Sequence, residues 1–164
     1  MQLHTSKLWK GKDTKVIYTD IDHVDELEGR ICMGVRAYCF HQDKLIVTYS
    51  ERKDMWEPAG GNVEIGESVT DAMIREVQEE TNMNVVRYAC IGYEDIYAPE
   101  GLVTLMRFVC IGEPIGEFVQ DPDEGEITKI EAVNPENYKK YFDWLDIGDH
   151  MMARAMKIKE GWKK

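Results

Sequence analysis

The sequence predicts an α/β fold in which helices cover a mixed β-sheet, and three observations carry that expectation. Apolar stretches of strand length recur from Ile31 onward, separated by clusters of Gly, Pro and acidic residues. Between them, residues 69–81 place their apolar side chains at helical spacing, and a second helical pattern lies near the end of the chain. The 164 residues contain no internal repeat and no low-complexity linker, so residues 1–164 read as one domain long enough to bury a core.

Taken in order, residues 15–21 read as a short strand and 20–30 as an acidic connection. Residues 31–41 carry apolar side chains on both alternating sets, Ile31, Met33 and Val35 on one and Cys32, Tyr38 and Phe40 on the other. That is the pattern of a strand buried on both faces. Residues 44–50 form its hairpin partner across the turn His41-Gln42-Asp43. Glu57-Pro58-Ala59-Gly60-Gly61 is a cluster of breakers and is expected to be loop. The helix over 69–81 follows. Strands are expected at 85–97 and 102–111, around the turn Ala98-Pro99-Glu100-Gly101, then a long acidic loop over 112–125 and a strand over 127–134. Residues 135–142 and 149–160 read as helices, the latter with Met152, Met156 and Lys159 near one packing face.

A formal net charge of −11 argues against a general binder of nucleic-acid polymers or anionic membranes, both of which it would repel. A phosphate ester remains compatible if a divalent cation supplies local positive charge. Cys32, Cys39, Cys90 and Cys110 form no C-x-x-C pair and lie in apolar stretches, so they read as buried reduced thiols. The N-terminal residues lack the apolar run of a signal peptide, and no stretch approaches a membrane span; a cytoplasmic location is the expectation.

The helix over 69–81 is unusual in where it puts its acids. With Glu76 as origin and about 100° per residue, Val69 falls at about 20°, Glu80 at about 40°, Met73 at about 60° and Val77 at about 100°. Glu79 falls at about −60°. Glu76 and Glu80 therefore sit at or inside the apolar face, whereas solvated glutamates would lie opposite it. Carboxylates this close repel one another and raise each other's pKa unless a cation lies among them. Hard oxygen donors with no His or Cys nearby suit Mg²⁺, or Mn²⁺ in its place. Ser68 is a candidate N-cap, with Asp71 favouring the helix start. Arg75 is placed to orient a carboxylate, and Gly60 and Gly61 allow close backbone approach to a ligand.

Together these residues resemble the signature of the Nudix hydrolases, G-x5-E-x7-R-E-U-x-E-E-x-G-U, where U is a bulky apolar residue. Gly61, Glu67, Arg75, Glu76, Val77, Glu79, Glu80 and Met83 fall in place, and Asn82 stands where the motif has its second Gly. Asn is the usual second choice for a left-handed residue closing a helix, so Asn82→Gly is expected to stabilise slightly and leave activity intact. The resemblance implies an α/β/α sandwich with a mixed sheet. It also implies Mg²⁺-dependent hydrolysis of a diphosphate linkage in a small nucleotide, either a nucleoside triphosphate or another nucleoside diphosphate derivative. ADP-ribose or a nucleotide sugar is the alternative substrate, and a nucleotide-sensing domain without catalysis is the rival class.

The resemblance assigns Glu76 and Glu80 as metal ligands, Glu79 as ligand or general base and Glu67 as a weaker or indirect ligand, with one to three ions. Arg75 would orient a glutamate. Family members often add an acid from a downstream loop, here Glu124 in preference to Glu126. Phosphate contacts are expected from Gly60, Gly61 and Arg36, with Arg52 and Lys53 as further candidates. Trp56, Tyr49, Tyr93 and Tyr97 are the candidates to stack on a base. Pro99, 16 residues after the signature, resembles a spacing of ADP-ribose-type members, although its segment is also an ordinary turn. The chain is expected to act as a monomer or homodimer.

Overall fold

The computed structural model describes residues 1–9, 12–119 and 126–163. Its centre is a nine-stranded mixed sheet formed by β1 (Gln2–Trp9), β2 (Lys12–Thr19), β3 (Cys32–His41), β4 (Lys44–Ser50), β5 (Met55–Glu57), β6 (Ala59–Asn62), β7 (Met83–Ala98), β8 (Gly101–Pro114) and β9 (Ile127–Val133). The main order is β1-β2-β7-β8-β3-β4-β5, with β6 paired to β3 and β9 to β4. Among the described strands, β3 and β8 form the one parallel pair, with Arg36 opposite Arg107 and Cys39 opposite Cys110. Helix α1 (Val69–Thr81) covers one face and α2 (Leu145–Gly161) the other.

Strand alternation divides the core. Val35, Ala37 and Cys39 of β3, with Met106, Phe108 and Cys110 of β8, pack with Ala72, Met73 and Val77 of α1. Tyr38 and Phe40, with Val109, pack with Ile147, Met151, Met152 and Ala155 of α2. The expected methionine face is therefore core. All four cysteines are free, three of them buried and Cys32 half-buried. Among the described residues no helix is long and apolar enough to cross a membrane.

Several elements differ from the sequence expectation. β1 was not anticipated because it is a polar edge strand; it gains its order from a complete antiparallel register with β2, Gln2 to Thr19 through Trp9 to Lys12. Ile31 is 84% exposed and precedes β3, so the two-faced burial begins only beyond Met33. Residues 135–140 form a 3-10 turn capped by Asn134, not an α-helix. Helix α2 starts four residues before Asp149, at Leu145. The most consequential difference is that residues 57–61, expected to be loop, lie in β5 and β6 apart from Pro58 between them.

Candidate active site

The site is built where the β3–β4 hairpin splays. The two strands pair from Cys39–Ile46 to His41–Lys44, then diverge, and the short segment around Pro58 fills the gap between them. β5 pairs with β4 through Thr48–Glu57, while β6 pairs with β3 through Val35–Gly61 and Arg36–Gly60. The glycines that looked like breakers are there because of close approach. A Cβ on Gly60 would lie 2.1 Å from the Val35 carbonyl oxygen, a backbone collision. A Cβ on Gly61 would lie 2.3 Å from Glu76 Oε1, so the bare Cα of Gly61 is the surface on which that carboxylate rests.

Helix α1 brings the acids to this wedge. Ser68 Oγ accepts the Asp71 N–H at 3.0 Å and fixes the first turn. Asn82 ends the helix in the left-handed region (φ 54, ψ 40), its N–H donating to the Gln78 carbonyl at 2.9 Å. Ala72, Met73 and Val77 are fully buried, which orients Glu76 and Glu80 toward β6. Glu80 Oε2 accepts the Gly60 N–H at 2.9 Å. Burial, against the pull of that hydrogen bond and of Arg36, pushes the Glu80 carboxyl up to about 8. Burial likewise raises Glu76, outweighing Arg75 beside it. These are the two acids that the wheel placed on the apolar side.

Arg75 organises the remaining acids and does more than orient one of them. Its Nε and Nη2 donate to the two oxygens of Glu67 at 2.8 and 3.0 Å, a bidentate pair. Its Nη1 donates to Glu76 Oε1 at 2.9 Å and to Glu79 Oε2 at 3.1 Å, and Nη2 also donates to the Asn62 carbonyl at 3.0 Å. The paired guanidinium, with the Glu64 N–H, holds Glu67 below the usual carboxylate range, and Glu67 foremost raises Arg75 in return. Glu79 keeps half its side chain exposed.

These residues border a cleft of about 630 Å³ that also takes in Arg36, Arg52, Lys53 and Glu57. Arg36 Nη2 is 2.7 Å from Glu57 Oε2, and its Nη1 donates to the Pro58 carbonyl at 3.0 Å. Lys53 bridges Glu57 and Glu126 at 3.1 and 2.9 Å, and Arg52 reaches Glu126 at 3.0 Å. Burial would raise Glu126, but Lys53, Arg52 and Ser50 outweigh it and lower its pKa. Glu126 thus lines the cleft; Glu124, the preferred acid, lies outside the described residues.

The aromatic expectations fare differently. Trp56 does not line the cleft; it packs against Tyr49 and Tyr141 at centroid distances of 5.2 and 5.5 Å. Tyr49, Tyr93, Tyr97 and Pro99 are likewise absent from its walls. Among the described residues, the aromatic ones that do line it are Trp144 and Phe118. Glu57, Arg107 and Trp144 were missed by sequence reasoning. Arg107 had a signal, as the lone charge inside the apolar run 102–111; Glu57 and Trp144 had none.

Among the described residues, no three His, Cys, Asp or Glu side chains converge closely enough to hold a metal ion as they stand; Arg75 draws Glu67, Glu76 and Glu79 to itself. The donor chemistry still fits a hard divalent cation. Every acid at the wedge is a carboxylate, and Glu80 and Glu76 occupy positions where burial disfavours their charge unless a cation compensates it.

A NUDIX domain model matches residues 32–154, three quarters of the chain. The chain belongs to the Nudix hydrolase family. Members of this family generally use divalent metal ions. Over 89 residues it is 29% identical to an uncharacterized Nudix hydrolase, YvcI, of Bacillus subtilis (strain 168), covering 52% of this chain and 56% of that relative, about half its length. The fold is similar to that of the Bacillus subtilis pyrophosphohydrolase BsRppH in a mutant form, with a TM-score of 0.71 and 20% identity over 92% of this chain and 94% of that one. It is also similar to a C. elegans Ap4A hydrolase, with a TM-score of 0.56 and 15% identity over 78% of this chain and 98% of that one. At such identities the likenesses bear on the fold, an α/β/α sandwich around a mixed sheet.

Proposed function

We propose that this protein is a Mg²⁺-dependent pyrophosphohydrolase that cleaves a diphosphate linkage in a small nucleotide, nucleoside triphosphates being the leading substrates. The observation that carries the reading is the placement of Glu80 and Glu76 against Gly60 and Gly61 at the wall of a cleft that also presents Arg36, Arg52 and Lys53. A domain that only sensed nucleotides would have no use for two carboxylates held partly buried at a cost to their charge. Retention of all four signature glutamates favours turnover over sensing.

Glu76 and Glu80 would hold the cation, with Glu79 beside them and Glu67 acting indirectly through Arg75. The chemistry a divalent cation held there would supply is charge to neutralise the diphosphate and a lowered pKa for a bound water. The chain supplies the rest. Arg75 keeps Glu67 ionised and ties Glu76 and Glu79 into one array. Glu79, half exposed at the cleft, would join the cation or take a proton from an attacking water. Arg36, Arg52 and Lys53 offer charge to phosphates once the substrate competes with Glu57 and Glu126 for them.

The names of the structural relatives widen the panel to dinucleoside polyphosphates. Pro99 stands away from the cleft walls, so the ADP-ribose resemblance gains no support from it. The test assays nucleoside triphosphates, dinucleoside polyphosphates, ADP-ribose and nucleotide sugars with Mg²⁺ for released phosphate or pyrophosphate, wild type beside Glu80→Gln. Hydrolysis by wild type, with a loss on the order of 10²-fold or more in the variant, is expected. Equal turnover by the two, or none by wild type, contradicts the reading.

A further inference from the structure

The cleft has a second wall, on the α2 side of the sheet, that the reaction chemistry leaves unused. Arg107 of β8 lines it and is only 3% exposed. It stands at the sheet centre, opposite Arg36 of β3 and Gly92 of β7. Its Nη2 donates to Glu94, itself 3% exposed, so the pair is close to neutral as a unit. Arg107 Nε and Nη1 are buried without a hydrogen-bond partner among the described residues, as is the Tyr38 hydroxyl. Trp144 covers the guanidinium face, with Arg107 Cζ 4.8 Å from the ring centroid, and also packs on Tyr38 and Phe142 at 6.4 and 5.0 Å.

Buried unsatisfied donors are costly, and buried polar groups are normally hydrogen-bonded. A fold that keeps two such N–H groups and a hydroxyl in one cluster leaves hydrogen bonds for something else to complete. The platform over them is also held in place. The chain enters α2 through Leu145 in the left-handed region (φ 55), a conformation that is costly for such a residue. The Leu145 N–H is tied to Asp143 Oδ1 at 2.8 Å, which fixes Trp144 at the helix start.

The chemistry of the missing ligand group follows. A guanidinium offers donors only, and they lie in its plane. Its face is occupied by the indole, and its charge is met by Glu94, so it calls for a neutral, in-plane acceptor and not for a second anion. A ring carbonyl beside an aromatic platform satisfies this. Building on the nucleotide reading above, we infer that Arg107 and Trp144, backed by the buried Tyr38, form the base subsite and select nucleobases presenting a ring carbonyl. Among purines this means 6-oxo bases, hypoxanthine and guanine, over adenine. The 6-amino group of adenine would point donors at donors.

Equilibrium binding of inosine monophosphate and adenosine monophosphate, measured by calorimetry on the whole protein, tests this without requiring turnover. Wild type is expected to bind inosine monophosphate at least about tenfold more tightly. Arg107→Lys keeps a positive charge beside Glu94 but loses the planar fork, and should bring the two affinities within about twofold of each other. Binding of inosine monophosphate should also change the tryptophan emission of wild type, and Trp144→Phe, which keeps an aromatic ring, should abolish that change; this arm stands even if Arg107→Lys does not fold. Equal affinities in wild type, or an undiminished preference in a folded Arg107→Lys, overturn the inference. A retained preference without hydrolysis of any nucleotide supports this subsite and sinks the catalytic reading. Hydrolysis with equal binding does the reverse.

Discussion

The two walls of the cleft are built by opposite strategies. On the α1 wall the polar groups satisfy one another: Arg75 takes up Glu67, Glu76 and Glu79, and Glu80 accepts the Gly60 N–H. Those partners lie within about one helical turn of each other or just upstream of the helix, so their spacing is visible in the chain. On the α2 wall Arg107 and Trp144, with Tyr38 buried behind them, come from distant positions, and polar atoms are left over. The difference separates two tasks. A self-organised array suits a fixed chemical step, while a wall with unspent donors suits recognition of a variable group.

The two adjacent glycines give the sharpest way to break this comparison. Gly61→Ala should fold, because its new methyl meets only the movable end of Glu76, yet it should displace that carboxylate and lower hydrolysis by roughly 10–100-fold. Gly60→Ala meets the Val35 backbone and should instead destabilise by on the order of 3 kcal/mol. Chemical denaturation and turnover assays on both variants check this. Loss of stability in Gly61→Ala with activity intact would reverse the assignment of roles.

A smaller effect concerns the charge of Glu80 in metal-free protein. Its folded pKa of about 8 lies above the ordinary glutamate value of 4.5, so between those values the folded state binds more protons than the unfolded state. Stability should therefore fall as pH rises from about 4.5 to about 8. Glu80→Gln keeps an oxygen for the Gly60 N–H and cannot ionise. In a chelating buffer it should match wild type at pH 5 and exceed it at pH 8 by on the order of 1–3 kcal/mol. Urea denaturation at the two pH values measures the difference; parallel profiles would show that the carboxylate carries no unmet charge.

The smallest effect is at Asn82. The left-handed conformation favours Gly there, as expected from the sequence, but the Asn82 side chain also donates to the Glu117 carbonyl at 2.8 Å. The two contributions oppose each other, so Asn82→Gly should change stability by less than about 0.5 kcal/mol instead of the simple gain expected from backbone preference, and activity should be unchanged. Thermal melts and turnover read both.

How much was legible follows from the range of each interaction. The helix over 69–81 appears where its spacing, its Ser68 cap and its Asn82 terminator put it, because all three are local signals. Glu76 and Glu80 were recognisable because a wheel needs only that helix. Residues 57–61 misled because Gly and Pro mark turns and close approaches alike, and only the Val35 carbonyl and the Glu76 carboxylate tell the two apart. Whether Trp56 or Trp144 faces the cleft is decided by the sheet order and by where α2 begins, neither of which a local pattern contains. β1 was invisible because a polar edge strand has no apolar alternation to read.

The inward pair, Glu76 and Glu80, is proposed to hold the cation while Glu67 acts through Arg75. Titration of Mn²⁺ into wild type, Glu76→Gln, Glu80→Gln and Glu67→Gln, followed by calorimetry or by the loss of the free-ion paramagnetic signal, tests it directly. Affinity losses of at least about tenfold are expected for Glu76→Gln and Glu80→Gln, and a smaller loss for Glu67→Gln. Unchanged Mn²⁺ affinity in Glu80→Gln, or a larger loss in Glu67→Gln than in either inward variant, would contradict it.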